Sequence, residues 1–122
     1  FAGGTGITAF TAFLDGLTPA FRHAVVVAYG ARAAELLIYR DLLAARAALI
    51  PGLRACYFVE RGEPPPGATA GRLSVAAVWQ HIAAPEQALF YLSGPPVMLK
   101  TLAGDLRGRG IADADIRIDA WE

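Results

Sequence analysis

The chain begins FAGGTGITAF, and Gly4, Gly6 and Ala9 stand there in the spacing G-x-G-x-x-A, directly after the stub of an apolar strand. A first glycine permits a tight turn, a second lets backbone approach a diphosphate, and a small third residue lets the following helix pack close to the strand. The first N–H groups of that helix carry partial positive charge and face the anion, and Thr5 and Thr8 add hydroxyl donors. The same glycines would serve equally in a turn that joins strand to helix and binds nothing. A dinucleotide site of the common Rossmann kind also carries an acid about 20 residues further on, at the end of the second strand, to hold ribose hydroxyls. Here that place reads AYGAR, with Tyr29, Gly30 and Arg32 and no carboxylate before Glu35. Either the loop holds no dinucleotide, or it belongs to a different dinucleotide-binding lineage.

A second stretch, FYLSGPPVMLK, closes a later strand and opens a helix. Ser93 and Gly94 suit a helix cap, and a proline near the first helical position fits because its missing N–H needs no partner there. Changes of hydrophobic period, punctuated by glycine and proline, set these loops in a βαβαβαβαβ order. Strands are expected at His23–Tyr29, Leu53–Val59, Gln87–Ser93 and Asp115–Trp121, and Phe1 and Ala2 read as the end of another whose larger part is missing. Helices are expected at Ile7–Gly16, Ala33–Leu49, Arg72–Ile82 and Pro95–Arg109. In the second helix Ile38, Leu42, Ala45 and Leu49 form one stripe, and in the last Met98, Leu99, Leu102, Ala103 and Leu106 form another. Strands that alternate with helices imply a doubly wound α/β fold, whose ligands bind beyond the carboxyl ends of the strands. The proline- and glycine-rich run Arg61–Gly71 reads as a surface connection.

With 122 residues, 55% hydrophobic and 18% charged, the chain suits one domain around one core. Lys plus Arg equals Asp plus Glu, and no basic stripe is present to neutralise a nucleic-acid backbone. A single cysteine, Cys56, allows no intrachain disulfide and suits a reducing, cytoplasmic setting; its place in an apolar strand reads as a buried thiol. Apolar runs such as AVVVAY fall well short of the roughly 20 residues needed to span a bilayer. His23 and His81 have no carboxylate or thiol at ligand spacing, so no metal site is expected. A start at Phe1, not methionine, reads as a piece of something longer.

AGGTGIT, then YLSGPPVM some ninety residues later, with VAYGAR between and IRIDAW at the end, resembles the NAD(P)-binding domain of the ferredoxin–NADP reductase superfamily. The resemblance covers essentially all of residues 1–122. It implies a five-stranded parallel sheet of order 3-2-1-4-5 with helices on both faces, taking NADH or NADPH and passing hydride to FAD. In that family the flavin is held mainly by a separate β-barrel domain upstream, which this sequence lacks. The electron acceptor in such proteins is a ferredoxin, a haem domain or an oxygenase component. Carried over by position, Gly3, Gly4, Thr5, Gly6 and Thr8 match the diphosphate loop, and Gly94, Pro95 and Pro96 match the loop beside the nicotinamide. Arg32 matches a position near the adenosine half. Ser93 stands where many members have cysteine, next to the carbon that gives up hydride. Asp119 and Trp121 match an acid-x-aromatic ending on the flavin side, where the family commonly has glutamate in place of the aspartate. Ala9 replaces a common proline.

The choice of dinucleotide turns on Glu60 and Arg61, after the third strand. Glu60 would repel a 2′-phosphate and accept from ribose hydroxyls, whereas Arg61 would pair with the phosphate. The balance favours NADH; solvated loop charges with no role are the alternative. Two rival functions differ in class. A methyltransferase needs an acid closing the second strand, which AYG lacks, and a non-catalytic domain would keep the fold without the ligand.

Overall fold

A computed structural model describes residues 1–120 of the chain. Its six strands are β1 (Ala2–Gly3), β2 (Val25–Ala31), β3 (Leu53–Val59), β4 (Ala68–Ala70), β5 (Phe90–Gly94) and β6 (Ile116–Ala120). They form one sheet in the order β4-β3-β2-β1-β5-β6, with every pairing parallel. The helices are α1 (Thr11–Gly16), α2 (Arg40–Leu49), α3 (Val75–Trp79) and α4 (Pro96–Gly108). No helix among the described residues is long and apolar enough to cross a membrane.

The five expected strands stand in the expected order, and β4 is an addition at one edge that corrects the count to six. It arises inside the proline-rich run. Gly67, at φ +84°, turns the chain after three successive prolines, and Ala68–Ala70 falls back beside Tyr57–Val59. Three small residues are too short a run to show a strand period.

Side chains alternate across the sheet, so each strand feeds two cores. Ala2, Val27, Tyr29 and Ala31 pack with Ile7, Leu14 and Leu43 on the side of α1 and α2. Ala28 and Phe58 meet Val78 of α3 on the other side, where Phe90 and Leu92 also meet Leu99, Leu102 and Leu106 of α4. Helices therefore cover both faces. Each fully buried leucine contributes roughly 1.5–3 kcal/mol, and the expected stripe of α4 is the one that buries.

The stripe expected for the second helix is not. Ile38 is 66% exposed and Leu49 58%, while Leu37, Leu43 and Ile50 are buried. The chain makes a short 3-10 turn at Ala34–Leu36, leaves helical geometry at Leu37 and restarts at Arg40. This break resets the phase, so that Leu43, Ala47 and Ile50, at i, i+4 and i+7, face the sheet. The third helix is shorter than expected because Ser74 caps it, its Oγ accepting from the Ala77 N–H at 3.1 Å. A 3-10 turn at Pro85–Gln87 delays the next strand to Phe90.

Candidate functional site

The chain leaves β1 toward β2 and β3 on one side and returns to β5 and β6 on the other, so β1 and β5 flank the point where strand order reverses. Ala2 sits opposite both Tyr29 and Ser93. The loops that follow β1 and β5 consequently emerge side by side, which is where open α/β sheets bind ligands. The two glycine-bearing stretches meet there.

Gly4 lies at φ +56°, a left-handed position that glycine adopts without cost, and turns β1 directly into a 3-10 helix, Gly4–Phe10, that runs on into α1. The helix thus begins three residues earlier than the expected Ile7. Its first N–H groups have no partner within the helix. Gly3 precedes it without a side-chain cap, and no acidic residue occupies the first turn. The mouth is therefore not met by a capping side chain from Gly3 or by a first-turn carboxylate. Thr5 and Thr8 are exposed beside it, and the Thr8 hydroxyl donates to the Thr5 carbonyl at 2.9 Å. Thr8 must break that bond before it can donate to a ligand.

The division of labour among the small residues differs from the expected one. A Cβ on Gly6 would lie 2.4 Å from the Ser93 carbonyl oxygen and 2.9 Å from the Gly94 nitrogen. Gly6 is therefore the residue that lets helix and strand close together, the role expected of Ala9, and Ala9 is exposed. Gly3 and Gly94 approach one another as well: a Cβ on Gly94 would lie 3.3 Å from Gly3 backbone atoms and 2.5 Å from Met98 Cε. Met98, read from the sequence only as core, closes over both glycines.

Ser93 is 1% exposed, and its Oγ is buried without a hydrogen-bond partner among the described residues. An unsatisfied buried hydroxyl costs about 1–3 kcal/mol. Asp119 is its register neighbour on β6 and is exposed, as are Pro95 and Pro96. Gly3, Gly4, Gly6, Ser93, Gly94 and Asp119 thus gather at one crevice. Trp121 lies outside the described residues.

A second group stands at the ends of β2 and β3, about 5 and 10 Å across the sheet from β1. Arg32 follows β2, and its carbonyl accepts from the Arg61 N–H at 2.8 Å, while the Glu60 N–H donates to the Ala31 carbonyl at 3.1 Å. Glu60 is exposed and forms a surface ion pair, in which Arg72 Nε donates to its Oε1 at 3.0 Å. Arg72 was not singled out from the sequence. It lies 12 positions from Glu60, and only the return of the chain through β4 brings the two together.

These residues suit a nicotinamide dinucleotide. The uncapped helix mouth would take the diphosphate, the unpartnered Ser93 Oγ would meet a polar ring substituent, and the charged group beyond β2 and β3 would meet the adenosine half. The family model described as the oxidoreductase NAD-binding domain matches residues 1–103 of the chain. Among solved structures, the chain is similar to the flavohaem-like FAD/NAD-binding domain of nitric oxide dioxygenase from Vibrio cholerae O1 biovar El Tor, with a TM-score of 0.85 and 22% identity. The match covers 98% of this chain and 48% of that one, so the chain spans about half the length of that structure. No curated protein matches.

Proposed function

The chain belongs to the oxidoreductase NAD-binding domain family, and from that premise we propose that it is the dinucleotide-binding module of a flavin-dependent oxidoreductase. In this reading hydride passes from NADH to FAD, and electrons pass on to a ferredoxin, a haem domain or an oxygenase component. The flavin sits mainly in a barrel domain upstream of Phe1. The pairing of FAD with NAD named for the similar structure supports this arrangement. The carrying observation is the crevice between β1 and β5, where an uncapped helix mouth lies beside a buried serine whose hydroxyl has no partner among the described residues.

When bound, the dinucleotide supplies the hydride. The protein's share is to hold and orient it. Backbone N–H groups after Gly4 grip the diphosphate, the tight closure at Gly6 fixes their direction, and Ser93 steadies the nicotinamide. Asp119, beside Ser93, places negative charge on the flavin side. Neither side chain is a nucleophile. Orientation of this kind is a large part of what a hydride-transfer protein contributes.

Ser93→Ala tests the reading without disturbing the fold, because the hydroxyl it removes bonds to no group among the described residues. Calorimetry with NADH up to millimolar levels is expected to give saturable heat for the native chain, and roughly tenfold weaker binding for the variant with an undiminished Tm. No heat from a folded native sample would end the proposal. So would rapid NADH oxidation by the purified chain without an added flavoprotein.

The Glu60–Arg72 pair bears on coenzyme choice. Glu60 accepts from the ribose hydroxyls while Arg72 holds its carboxylate in place, which favours NADH. Glu60→Gln removes the negative charge and leaves Arg72 and Arg61 beside the position of a 2′-phosphate. The ratio of NADPH to NADH affinity is expected to rise about tenfold; an unchanged ratio by calorimetry would detach Glu60 from the site.

A further inference from the structure

β1 and β5 end side by side on residues without side chains. Ala2 sits opposite Ser93, so the parallel register sets Gly3 beside Gly94, and both turn their bare Cα atoms to the α4 face of the sheet. The Met98 side chain lies across the pair. A Cβ on Gly3 would overlap the Met98 sulfur and come within 2.8 Å of its methyl carbon, and a Cβ on Gly94 would come within 2.5 Å of that same carbon. The next side-chain atom met from Gly3 is Pro95 Cδ, at 3.4 Å. The thioether thus fills the space that two glycines leave at the root of the crevice.

Met98 is the only methionine in the chain. It is half-buried in the first turn of α4, beside the exposed Pro95 and Pro96 and next to Val97, which is 79% exposed. One side of it packs on the core that holds Leu92 and Leu99, and the other is open to a small oxidant. The second sulfur, Cys56, lies on β3, two strands from β1. Burial pushes its thiol above the usual range, so little of the reactive thiolate forms.

Oxidation of the thioether adds an atom where none fits. The sulfur gives an electron pair to one oxygen of a peroxide; the O–O bond breaks, an S–O bond forms, and the other oxygen leaves as water. The product is a polar, chiral sulfoxide. Within the seam its oxygen has no room, because sulfur and methyl already stand where each glycine's Cβ would be. If the side chain swings outward, the two glycines face a void. Either course loosens the contact that sets the spacing of the two loops.

We propose that Met98 is an oxidation site for small hydroperoxides, and that its sulfoxide parts the two glycine-bearing loops. The inference concerns the loops themselves; only its consequence for coenzyme affinity rests on the nucleotide reading.

The test treats the full chain with hydrogen peroxide, then with dithiothreitol to return reversible Cys56 products to the thiol. Mass spectrometry is expected to place one added oxygen on Met98, and Tm is expected to fall by about 8 °C. Exchange at the Ser93 N–H, which donates to the Phe1 carbonyl at 2.9 Å, should quicken about tenfold or more. That factor should exceed the one at the Val25 N–H, which donates to the Gly52 carbonyl at the far end of β2. The two methionine sulfoxide reductases, one for each epimer, should restore both values. Met98→Leu should show the same Tm before and after peroxide. A Tm and a Ser93 exchange rate that ignore the sulfoxide would overturn the proposal, as would a Met98 that takes up no oxygen, equal acceleration at Ser93 and Val25, or the same loss in Met98→Leu. Calorimetry on the same samples is expected to show NADH affinity falling about tenfold and returning with the reductases. No heat from the untreated chain would count against the nucleotide reading alone, because exchange at Ser93 decides the role of Met98.

Discussion

Gly6→Ala is expected to destabilise the domain by about 3 kcal/mol and to lower Tm by roughly 10 °C, although it adds a single methyl group. The new carbon would lie 2.4 Å from the Ser93 carbonyl oxygen, 2.6 Å from its carbon and 2.9 Å from the Gly94 nitrogen. All three are backbone atoms of the strand end that pairs with β1, so none can swing aside as a side chain would. Relief requires the helix to lift from the sheet and open the crevice. Gly3 presents a softer obstacle, because the nearest atoms to its Cβ are the end of the Met98 side chain, at 2.3 and 2.8 Å. Gly104, inside α4, meets nothing within 4 Å; there the same substitution should stabilise by about 0.5–1 kcal/mol through helix propensity. Urea denaturation of the two alanine variants side by side checks the opposite signs. A Gly6→Ala midpoint within a few tenths of a kcal/mol of native would show that the two loops are not in contact. The closure at Gly6 also explains why a bulkier residue there cannot report on ligand binding: lost affinity would follow from lost fold.

The alternation of strands and helices was legible because it survives errors of a few residues at each boundary, and the strand order came with the family resemblance carried by the two glycine-bearing motifs. The apposition of the two glycine loops followed from that order, and the register Ala2–Ser93 bears it out. Phase within a helix was not legible where the chain interrupts itself: Ile38 and Leu49 fit a continuous period from Ala33, but the break at Leu37 is a backbone event with no glycine or proline to announce it. Similarly, the spacing G-x-G-x-x-A gave the turn at Gly4 and misassigned the close contact, since whether Gly6 or Ala9 meets the neighbouring strand depends on the helix beginning in a tighter 3-10 coil. The Glu60–Arg72 pair was invisible for a different reason. It exists only because β4 folds the proline-rich run back on β3, and three small residues carry too little pattern to forecast that return.

Burial of the Phe1 amine should make the stability of this chain depend on pH in a window where a solvated terminus would contribute nothing. The folded state lowers its pKa from 8.0 to about 5 through desolvation, so the folded state binds the proton less readily than the unfolded state. Above about pH 8 the amine is neutral in both states and costs nothing. As pH falls from 8 to 5 the unfolded chain takes up the proton while the folded one does not, and stability declines; below 5 both are protonated and the loss is complete. The full displacement amounts to about 4 kcal/mol at most, a large part of the total for a domain of this size. Comparison of the free and acetylated chains by urea denaturation isolates it, because every side chain titrates in both and cancels in the difference. The gap is expected to be smallest near pH 9, to widen through neutrality and to level off near pH 5. Any hydrogen bond made by the acetyl carbonyl would add a constant offset, so only the slope of the gap reports the amine. A gap that does not change with pH would mean that water reaches the terminus and that burial does not hold its pKa down.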